Sequence, residues 1–320
     1  MPNQNTNMLL NTEDETQVKE VNGHPLTFNH LNKLYWPDDG FTKRDMINYY
    51  DQVAPYMLTY LLDRPVSLNR FPNGINDHSF FQKDITGISP EWVDFFEHTT
   101  AEGEEQHYLV TTNEASLLWM AGLGCIEINP WFSRVFSPDN PDYCVIDLDP
   151  GANTFSKVIQ IAQVIKNILD ATGVTAYPKT SGSTGIHIYI PLGARFSYAQ
   201  SSQLAKRIVT LAQKQASGYT TVERLVKKRQ GKMYLDFLQN HSGATIAAPY
   251  SLRPKPGATV SMPLSWDEVK PGLTMRDFNI HNAADRLKET GDLFQGVLDK
   301  GIDLPGILQE YGKYEKEERR

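Results

Sequence analysis

The sequence lacks the features that mark secreted, disulfide-bonded and membrane-spanning proteins. Only 2 of its 320 residues are cysteines, Cys125 and Cys144, and neither belongs to a Cys-x-x-Cys pair. This argues against a disulfide scaffold and favours a reducing compartment. No apolar run is long enough to span a membrane, and the N-terminus has no charged start followed by the apolar centre of a signal peptide. We therefore expect a cytoplasmic protein without a membrane partner.

An excess of positive charge is also missing. The formal net charge is −7, which argues against a histone-like protein that binds nucleic acid through charge alone. A local basic groove is compatible with this total, because electrostatic steering depends on how charge is distributed. Apolar residues make up 40% and charged residues 22%, which is the composition of an ordinary globular protein.

The chain shows no internal repeat and no linker that would divide it into separate domains. Residues 1–24 are polar and rich in Asn, Thr and Glu, so we expect a mostly disordered lead. Residues 25–312 are predicted to form one unit with two subdomains, and residues 313–320 a charged tail that frays. Apolar periodicity predicts long helices over about residues 155–171 and 197–217.

Residues 143–150 are the stretch around which the rest of the chain is organised. Four mostly apolar residues lead into Asp147 and Asp149, and a Pro-Gly pair ends the run, which predicts a buried strand that stops at a turn. Side chains two apart on a strand share a face, so the two carboxylates project together. Their mutual repulsion favours a bound cation, and oxygen ligands suit Mg²⁺ or Mn²⁺. The alternative is a strand end with two solvated aspartates.

A loop of glycines and hydroxyl groups lies between two further predicted strands. Residues 180–185 read Thr-Ser-Gly-Ser-Thr-Gly, and His187 follows among alternating isoleucines. Backbone N–H groups and hydroxyls in such a loop can hold phosphate, and a histidine at this place is favoured as a phosphate partner over a structural role. Asp236 ends another apolar strand, in a setting like that of Asp147 and Asp149.

These features together predict a nucleotidyltransferase. Two cations held by carboxylates can activate a 3′-hydroxyl and stabilise the departing pyrophosphate in an in-line displacement. Residues 224–232 form the most basic segment of the chain, and Arg and Lys side chains neutralise a triphosphate.

The N-terminal third contains a lysine at the start of a predicted helix. Thr42 is a good N-cap, with Asp45 at the third helical position, and Lys43 falls in the first turn. The helix dipole disfavours a lysine there, which suggests an anion bound at the helix start. A solvated lysine is the alternative.

An aromatic pair follows a loop in the same third of the chain. Phe80 and Phe81 are flanked in sequence by Arg70 and Lys83, a combination that suits base stacking beside phosphate. The alternative is that one ring fills the core and the other covers it.

Four short motifs occur in a specific order and spacing. They are Asp147-Leu148-Asp149-Pro150, Thr180-Ser181-Gly182 with Gly185 and His187, Leu235-Asp236-Phe237 with Gln239-Asn240, and Ala248-Pro249-Tyr250-Ser251-Leu252-Arg253. From about Leu26 to the last helices, the chain resembles the polymerase domain of bacterial DNA ligase D, a primase-type polymerase of non-homologous end joining. The resemblance implies an α/β (α+β) fold: a palm with a central mixed or antiparallel sheet flanked by helices, plus a small N-terminal subdomain.

The resemblance also assigns roles to individual residues. The implied catalytic metal ligands, for two Mn²⁺ or Mg²⁺ ions, are Asp147, Asp149 and Asp236. The implied nucleotide contacts are Ser181, His187, Arg229, Arg253 and, near the sugar, Asn129. The resemblance implies that Lys33 and Lys43 bind the 5′-phosphate of the downstream strand and that Phe80 and Phe81 stack on the template. Arg70 and Lys83, which flank the aromatic pair in sequence, are predicted to make further DNA contacts.

The activity implied by the resemblance is template-directed gap filling and end extension with NTPs or dNTPs, with ribonucleotides preferred. The expected substrates are DNA ends or gaps with a 5′-phosphate. The expected partners are Ku and a separate DNA ligase, and the expected location is the nucleoid. The sequence has no Lys-x-Asp-Gly adenylation motif, so we do not expect this chain to seal nicks itself.

The chain departs from many relatives at three positions. Thr184 replaces a lysine, Asn69 replaces a lysine or similar base, and Asn129 replaces a histidine. Fewer basic groups should weaken triphosphate binding at these points, although Asn129 can still hydrogen-bond a sugar hydroxyl. Because the three aspartates are intact, we expect activity with altered nucleotide affinity.

Two other functions are compatible with parts of the sequence. A non-catalytic module could bridge DNA ends through Lys33, Lys43 and the aromatic pair. A phosphatase of the haloacid-dehalogenase type also uses Asp-x-Asp at a strand end, but it usually has Thr or Val where this chain has Pro150. It also needs a later acidic motif on a strand, and Gly291-Asp292 lies in a helical, non-apolar context.

Overall fold

The structure is a computed structural model that describes residues 8–100 and 103–317. The chain forms two compact units. The first contains the residues up to Trp131 together with Ile246–Val260 and Phe278–Gly291, so the chain returns to it twice. The second contains the three remaining segments. Both units combine helices and strands, which confirms the predicted α/β class.

The first unit begins with two antiparallel strand pairs and a helix. β1 (Gln17–Val21) pairs with β2 (His24–Phe28), and β3 (Leu34–Trp36) pairs with β4 (Phe41–Thr42). The helix that follows is α1 (Lys43–Met57). It has the predicted capping box: the Thr42 hydroxyl accepts the Asp45 N–H, and the Asp45 carboxylate accepts the Thr42 N–H.

An antiparallel sheet follows in the same unit. Its elements, in chain order, are β5 (Pro65–Arg70), β6 (Phe80–Gln82), β7 (Phe95–Thr99), β8 (Glu105–Val110), the helix α2 (Glu114–Gly122) and β9 (Cys125–Pro130). β5 pairs with β6 and β8 along one side and with β9 along the other, and β7 pairs with β8. α1 packs against α2.

The second unit is built on a mixed sheet. Its elements are β10 (Tyr143–Asp149), α3 (Phe155–Ala171), β11 (Tyr177–Thr180), β12 (Ile186–Pro191), α4 (Tyr198–Gln215), β13 (Thr220–Thr221) and β14 (Met233–Asp236). The strand order is β11-β12-β10-β14-β13, antiparallel except for the parallel pair of β13 and β14. The chain then contributes α5 (Ala283–Thr290) to the first unit and α6 (Leu304–Glu317) to the second.

The two faces of β10 have different surroundings. α3 and α4 pack on each other and on β10. Cys144 is buried, and its Sγ lies 3.5 Å from the carbonyl oxygen of Ser201 on α4. Cys144 and every second residue along β10 from it therefore face the helices. Asp147 and Asp149 belong to the other alternate set, because successive strand residues point to opposite faces.

The predicted disordered lead is wrong for the part of it that the structure describes. Residues 1–7 lie outside the described residues, but β1 and the start of β2 form within the predicted lead. Asn22 and Gly23, with φ of 49° and 80°, form the turn between them, and Asn-Gly is a strong two-residue hairpin signal. The predicted tail likewise begins as helix, since α6 continues to Glu317. Among the described residues, no helix is long and apolar enough to cross a bilayer.

Candidate active site

Strand register brings the three predicted acidic residues together. Asp147 on β10 lies directly opposite Asp236 on β14, and Asp149 lies opposite Tyr234. Side chains of directly opposed residues share a face of the sheet, with Cβ atoms about 5 Å apart. Asp147, Asp149 and Asp236 therefore project from one face, opposite to the face that α4 covers.

Each carboxylate contacts a different neighbouring group. Oδ1 of Asp147 lies 3.6 Å from Nε2 of His187, and Oδ2 of Asp149 lies 3.7 Å from a terminal nitrogen of Arg229. Oδ1 of Asp236 accepts the backbone N–H of Leu238 at 2.7 Å and the Tyr234 hydroxyl at 3.2 Å. The sheet thus holds three acids in distinct but adjacent environments.

The donor set fits a hard divalent cation. All three residues offer carboxylate oxygens, which are the ligands that Mg²⁺ and Mn²⁺ take. In residues 8–100 and 103–317, no group of three or more His, Cys, Asp or Glu side chains is arranged to enclose a metal ion. The fit therefore rests on the type of donor and on the shared face of the sheet.

Residues 181–185 form a tight loop beside the acids. The Ser181 hydroxyl oxygen accepts three backbone N–H groups, from Ser183, Thr184 and Gly185, at 2.9–3.1 Å. The N–H groups predicted to cradle an anion are therefore organised around this hydroxyl inside the loop. Gly185 lets the loop lie against β10, because a Cβ at this position would meet the carbonyl oxygen of Leu148 at 2.1 Å.

The basic segment follows β13 and leads into β14. The guanidinium carbon of Arg229 lies 4.0 Å from the centre of the Tyr234 ring, and its Nε donates to the carbonyl oxygen of Glu223. Burial, and then the Asp236 carboxylate, raises the pKa of the Tyr234 hydroxyl well above its usual value, so the hydroxyl stays a donor. An open cavity of about 480 Å³ is lined here by Arg224, Arg229, Tyr234, Asp236, Leu238, Gln239 and His241.

Lys179 was not singled out from the sequence, although it contacts the predicted site directly. It lies on β11, is completely buried, and places its Nζ 2.9 Å from Nδ1 of His187. The sequence did contain a signal for this contact. If the 181–185 loop joins two antiparallel strands, Thr180 lies opposite Ile186 and Lys179 lies opposite His187, and the structure has this register.

Two predicted nucleotide contacts lie in the first unit, around a buried glutamate. Arg253 donates from Nε to Oε2 of Glu127 at 3.2 Å. The amide nitrogen of Asn69 lies 3.5 Å from the same oxygen, and that of Asn129 donates to the Glu127 carbonyl oxygen at 3.3 Å. Glu127 thus connects Arg253 with both Asn69 and Asn129.

Lys33, Lys43 and Arg70 form a second basic cluster in the first unit. Lys43 donates from Nζ to the carbonyl oxygen of Asn29, and Lys33 donates to the Asn73 side chain at 2.9 Å. Burial, and then the charges of Lys33 and Arg70, lowers the pKa of Lys43 to about 8. The structure therefore brings the predicted lysine pair into one electrostatic neighbourhood.

The predicted aromatic pair lies on the surface of the same unit. Phe80 is 38% and Phe81 60% exposed, so neither ring fills the core. The Arg70 guanidinium lies 5.2 Å from the centre of the Phe80 ring and donates to the Gln82 side chain at 2.7 Å. Lys83 follows β6 and is exposed.

Comparison with known proteins decides the family. Residues 42–294 match the family described as LigD, primase-polymerase domain. The chain belongs to this family. The LigD primase-polymerase fold is also found by structure: the polymerase domain from Mycobacterium tuberculosis ligase D in complex with DNA has a TM-score of 0.79, with 27% identity over 87% of this chain and 99% of that chain. The resemblance and the fold class predicted from the motifs are both confirmed.

Curated LigD proteins are also similar to this chain in sequence. The bifunctional non-homologous end joining protein LigD of Bacillus subtilis is 37% identical over 297 residues, which are 91% of this chain and 47% of that protein. The multifunctional non-homologous end joining protein LigD of Mycolicibacterium smegmatis is 32% identical over 282 residues, which are 87% of this chain and 37% of that protein. The chain spans less than half the length of these LigD relatives.

Proposed function

We propose that this chain is a template-directed nucleotidyltransferase of primase-polymerase type, which fills gaps and extends ends during double-strand-break repair by end joining. One observation carries the proposal: Asp147, Asp149 and Asp236 project from one face of the sheet in a member of the LigD primase-polymerase family. An end-bridging module without catalysis has no need for three adjacent carboxylates, whose repulsion is unfavourable without a cation.

The three aspartates would hold two divalent cations, Mn²⁺ or Mg²⁺. When bound, such a pair lowers the pKa of a primer 3′-hydroxyl and neutralises charge on the leaving pyrophosphate. Asp147 and Asp236 lie opposite each other on adjacent strands, so removal of either carboxylate would take away one ligand of this group. The backbone N–H of Leu238 orients the Asp236 carboxylate.

Groups beside the acids of the second unit would bind the nucleotide phosphates: Ser181, His187 and Arg229. The resemblance separately assigns Arg253 of the first unit to the triphosphate and leaves Asn129 of that unit near the sugar. A guanidinium supplies paired donors that match phosphate oxygens. We assign ribonucleotides as the preferred substrates, with a polar contact from Asn129 to the sugar.

The basic and aromatic groups of the first unit would bind DNA. Lys33 and Lys43 form a pocket for the 5′-phosphate of the downstream strand, because a shared anion relieves their mutual repulsion. The exposed Phe80 and Phe81 offer stacking surfaces for template bases, with Arg70 and Lys83 beside them for the backbone.

The names of the relatives support the wider context. The LigD proteins of Bacillus subtilis and Mycolicibacterium smegmatis are named for non-homologous end joining, and the mycobacterial polymerase domain is found in complex with DNA. We extend these statements to this chain and propose that it works on DNA ends at the nucleoid, together with Ku and a separate DNA ligase.

The test is extension of a gapped, 5′-phosphorylated DNA with NTPs or dNTPs in the presence of Mn²⁺ or Mg²⁺. Metal-dependent, template-directed incorporation with NTPs used better than dNTPs is the expected result. Bridging of ends without incorporation would instead support the non-catalytic alternative. Release of phosphate from small phosphoesters would support the phosphatase.

A further inference from the structure

Lys179 is a completely buried lysine on β11, next to His187 of the second unit's site. Besides Nδ1 of His187 at 2.9 Å, its Nζ contacts the hydroxyl of Ser261. It also lies 5.7 Å from the centre of the Tyr189 ring. A buried lysine is rare unless a function or a specific set of partners keeps it, and none of the roles proposed above uses this one.

The hydrogen-bond directions in this cluster follow from its chemistry. The Ser261 hydroxyl donates to the carbonyl oxygen of Thr180 at 3.0 Å, so its oxygen accepts from Lys179. The face of the Tyr189 ring attracts a cation. If Lys179 is an ammonium group, it has three donors and no acceptor, and Nδ1 of His187 is then the acceptor and carries no proton.

We propose that Lys179 is a positioning residue that fixes His187 in the tautomer with its proton on Nε2. Nε2 lies 3.6 Å from Oδ1 of Asp147, so the donor of the ring is directed toward the acidic face. Phosphate oxygens only accept hydrogen bonds, and the tautomer with its proton on Nε2 is the one that can donate to them. The functional consequence rests on the proposed function, in which His187 contacts the nucleotide phosphates.

The tautomer can be measured without any nucleotide or metal. The full chain is labelled with ¹⁵N-histidine, and the two ring nitrogens of His187 are identified by their loss in the His187→Gln variant. In the wild type we expect the chemical shift of a protonated Nε2 and an unprotonated Nδ1. In Lys179→Met, which keeps the length and apolar stem of the side chain, we expect this pattern to change because Nδ1 has lost its donor.

The second measurement is the KM for the incoming nucleotide. Partners that orient a metal-bound histidine commonly contribute about 10- to 100-fold to affinity or activity, and by analogy we expect Lys179→Met to raise the KM by a factor in that range. Affinity for gapped DNA and the unfolding temperature should stay close to wild type, which separates positioning from a general structural role. Lys166→Met, on α3, is the matched control, because Lys166 pairs with Asp170 on the helix surface.

The outcomes separate this proposal from the proposed function. A wild-type His187 protonated on Nδ1, an unchanged tautomer in Lys179→Met, or a changed tautomer with an unchanged KM would each overturn the role of Lys179. If Lys179→Met does not fold, Ser261→Ala takes its place: it removes an acceptor of Lys179, and an unchanged KM would again count against the proposal. Failure of the wild type to incorporate nucleotides would refute the proposed function, whereas the tautomer of His187 would still be measured.

Discussion

Lys43 is almost completely buried at the first position of α1, where the helix dipole also disfavours a positive charge. Its pKa of about 8 follows first from burial and then from the charges of Lys33 and Arg70. An anion bound beside it would offset each of these effects, because opposite charge favours the protonated form. The residue is therefore suited to bind a phosphate and to respond to pH.

We predict that affinity for a 5′-phosphate falls as pH rises above about 8. Below its pKa Lys43 is charged and attracts the anion, and above it the free protein must take up a proton to bind, which weakens binding by up to tenfold per pH unit. The terminal phosphate has its second pKa near 6, so it stays a dianion throughout this range. The measurement is the Kd for 5′-phosphorylated and 5′-hydroxyl gaps at fixed salt. A preference for the phosphate that is constant from about pH 7 to about pH 9.5 would contradict the pocket.

Stability without DNA should depend on the same group with a defined sign. The pKa of Lys43 is about 8 when folded and 10.5 ordinarily, so between these values the unfolded chain binds more protons. Stability contributed at this position therefore rises with pH across that window. Lys43→Met should flatten the rise measured by urea unfolding, and it should stabilise the protein at pH 7 because it removes a buried charge.

At the proposed catalytic acids, Asp147 and Asp236, we predict loss of incorporation without loss of the fold. Asp147→Asn or Asp236→Asn keeps the size of each side chain but removes a charge, so metal-dependent extension should fall by a factor of at least about 10³, while the unfolding temperature stays close to wild type. Asp139→Asn is the matched control, because Asp139 is exposed. Extension at the wild-type rate by either variant would remove the aspartates from the mechanism.

The sequence predicted these acids because the signal is local. Two aspartates at i and i+2 before a Pro-Gly turn share a strand face, whatever the rest of the fold. The partnership of Glu127 with Arg253 has no such signal, because the two residues are 126 positions apart and meet only through tertiary structure. Local spacing therefore predicted the acids, and it could not predict the groups that orient their neighbours.

At the scale of elements, the 181–185 loop packs so closely against β10 that only glycine fits at position 185. A Cβ at Gly185 would lie 2.1 Å from the carbonyl oxygen of Leu148, and backbone cannot yield as a flexible side chain can. We predict that Gly185→Ala displaces the loop, destabilises the protein by about 1–3 kcal/mol and reduces incorporation. Gly218→Ala is the control, because its Cβ would meet no atom within 4 Å. Wild-type stability and activity of Gly185→Ala would show that the loop is not held against the strand.

Elements that were predicted from the sequence and elements that were missed are specified by different kinds of signal. The helix α3 has the predicted bounds of 155–171, because its apolar periodicity is long and uninterrupted. β1 was missed because residues 17–21 read as polar, and its only strong signal is the Asn-Gly turn that follows it. Composition is thus a weak guide where a short turn fixes the pairing.

Long-range hydrogen bonds also hold the lead in place. Leu10 exchanges two hydrogen bonds with the side chain of Asn48 on α1, at 2.9 and 3.2 Å, and all of these groups are buried. We predict that Asn48→Ala lowers the free energy of unfolding by about 1–3 kcal/mol, because the Leu10 backbone groups lose their partners. Gln52→Ala, one turn further along α1, removes an exposed hydrogen bond from Nε2 to the Met8 sulfur, which water can replace, so it should have a smaller effect. Equal urea midpoints for wild type and Asn48→Ala would show that the lead contributes nothing.

For the molecule as a whole, the total charge conceals how the charges are arranged. The formal net charge is −7, yet Lys33, Lys43 and Arg70 influence one another in the first unit, and Arg224 and Arg229 line a cavity in the second. Net charge argued against a charge-only binder, but it could not show where cations cluster. Binding of DNA should therefore depend on which lysines are removed and not only on how many.

The last prediction tests this dependence with two double variants of equal charge. In Lys33→Met, Lys43→Met the preference for 5′-phosphorylated over 5′-hydroxyl gaps should disappear, because each charge-assisted contact to the phosphate contributes about 1.5–3 kcal/mol, less where solvent screens it. In Lys206→Met, Lys214→Met, on the exposed surface of α4, the net charge changes by the same amount and the preference should stay. Both variants should still extend a simple primer–template at high enzyme concentration.

The measurement is the Kd of each protein for both gaps at one fixed salt concentration, because phosphate contacts are salt-dependent. Equal affinity of the wild type for the two gaps would disprove a 5′-phosphate pocket. If both double variants lost the preference for 5′-phosphorylated gaps, the preference would depend on overall charge and not on a pocket. An undiminished preference in the Lys33→Met, Lys43→Met variant would move the pocket elsewhere, with exposed Lys83 beside Phe81, or the basic segment 227–229, as the next positions to test.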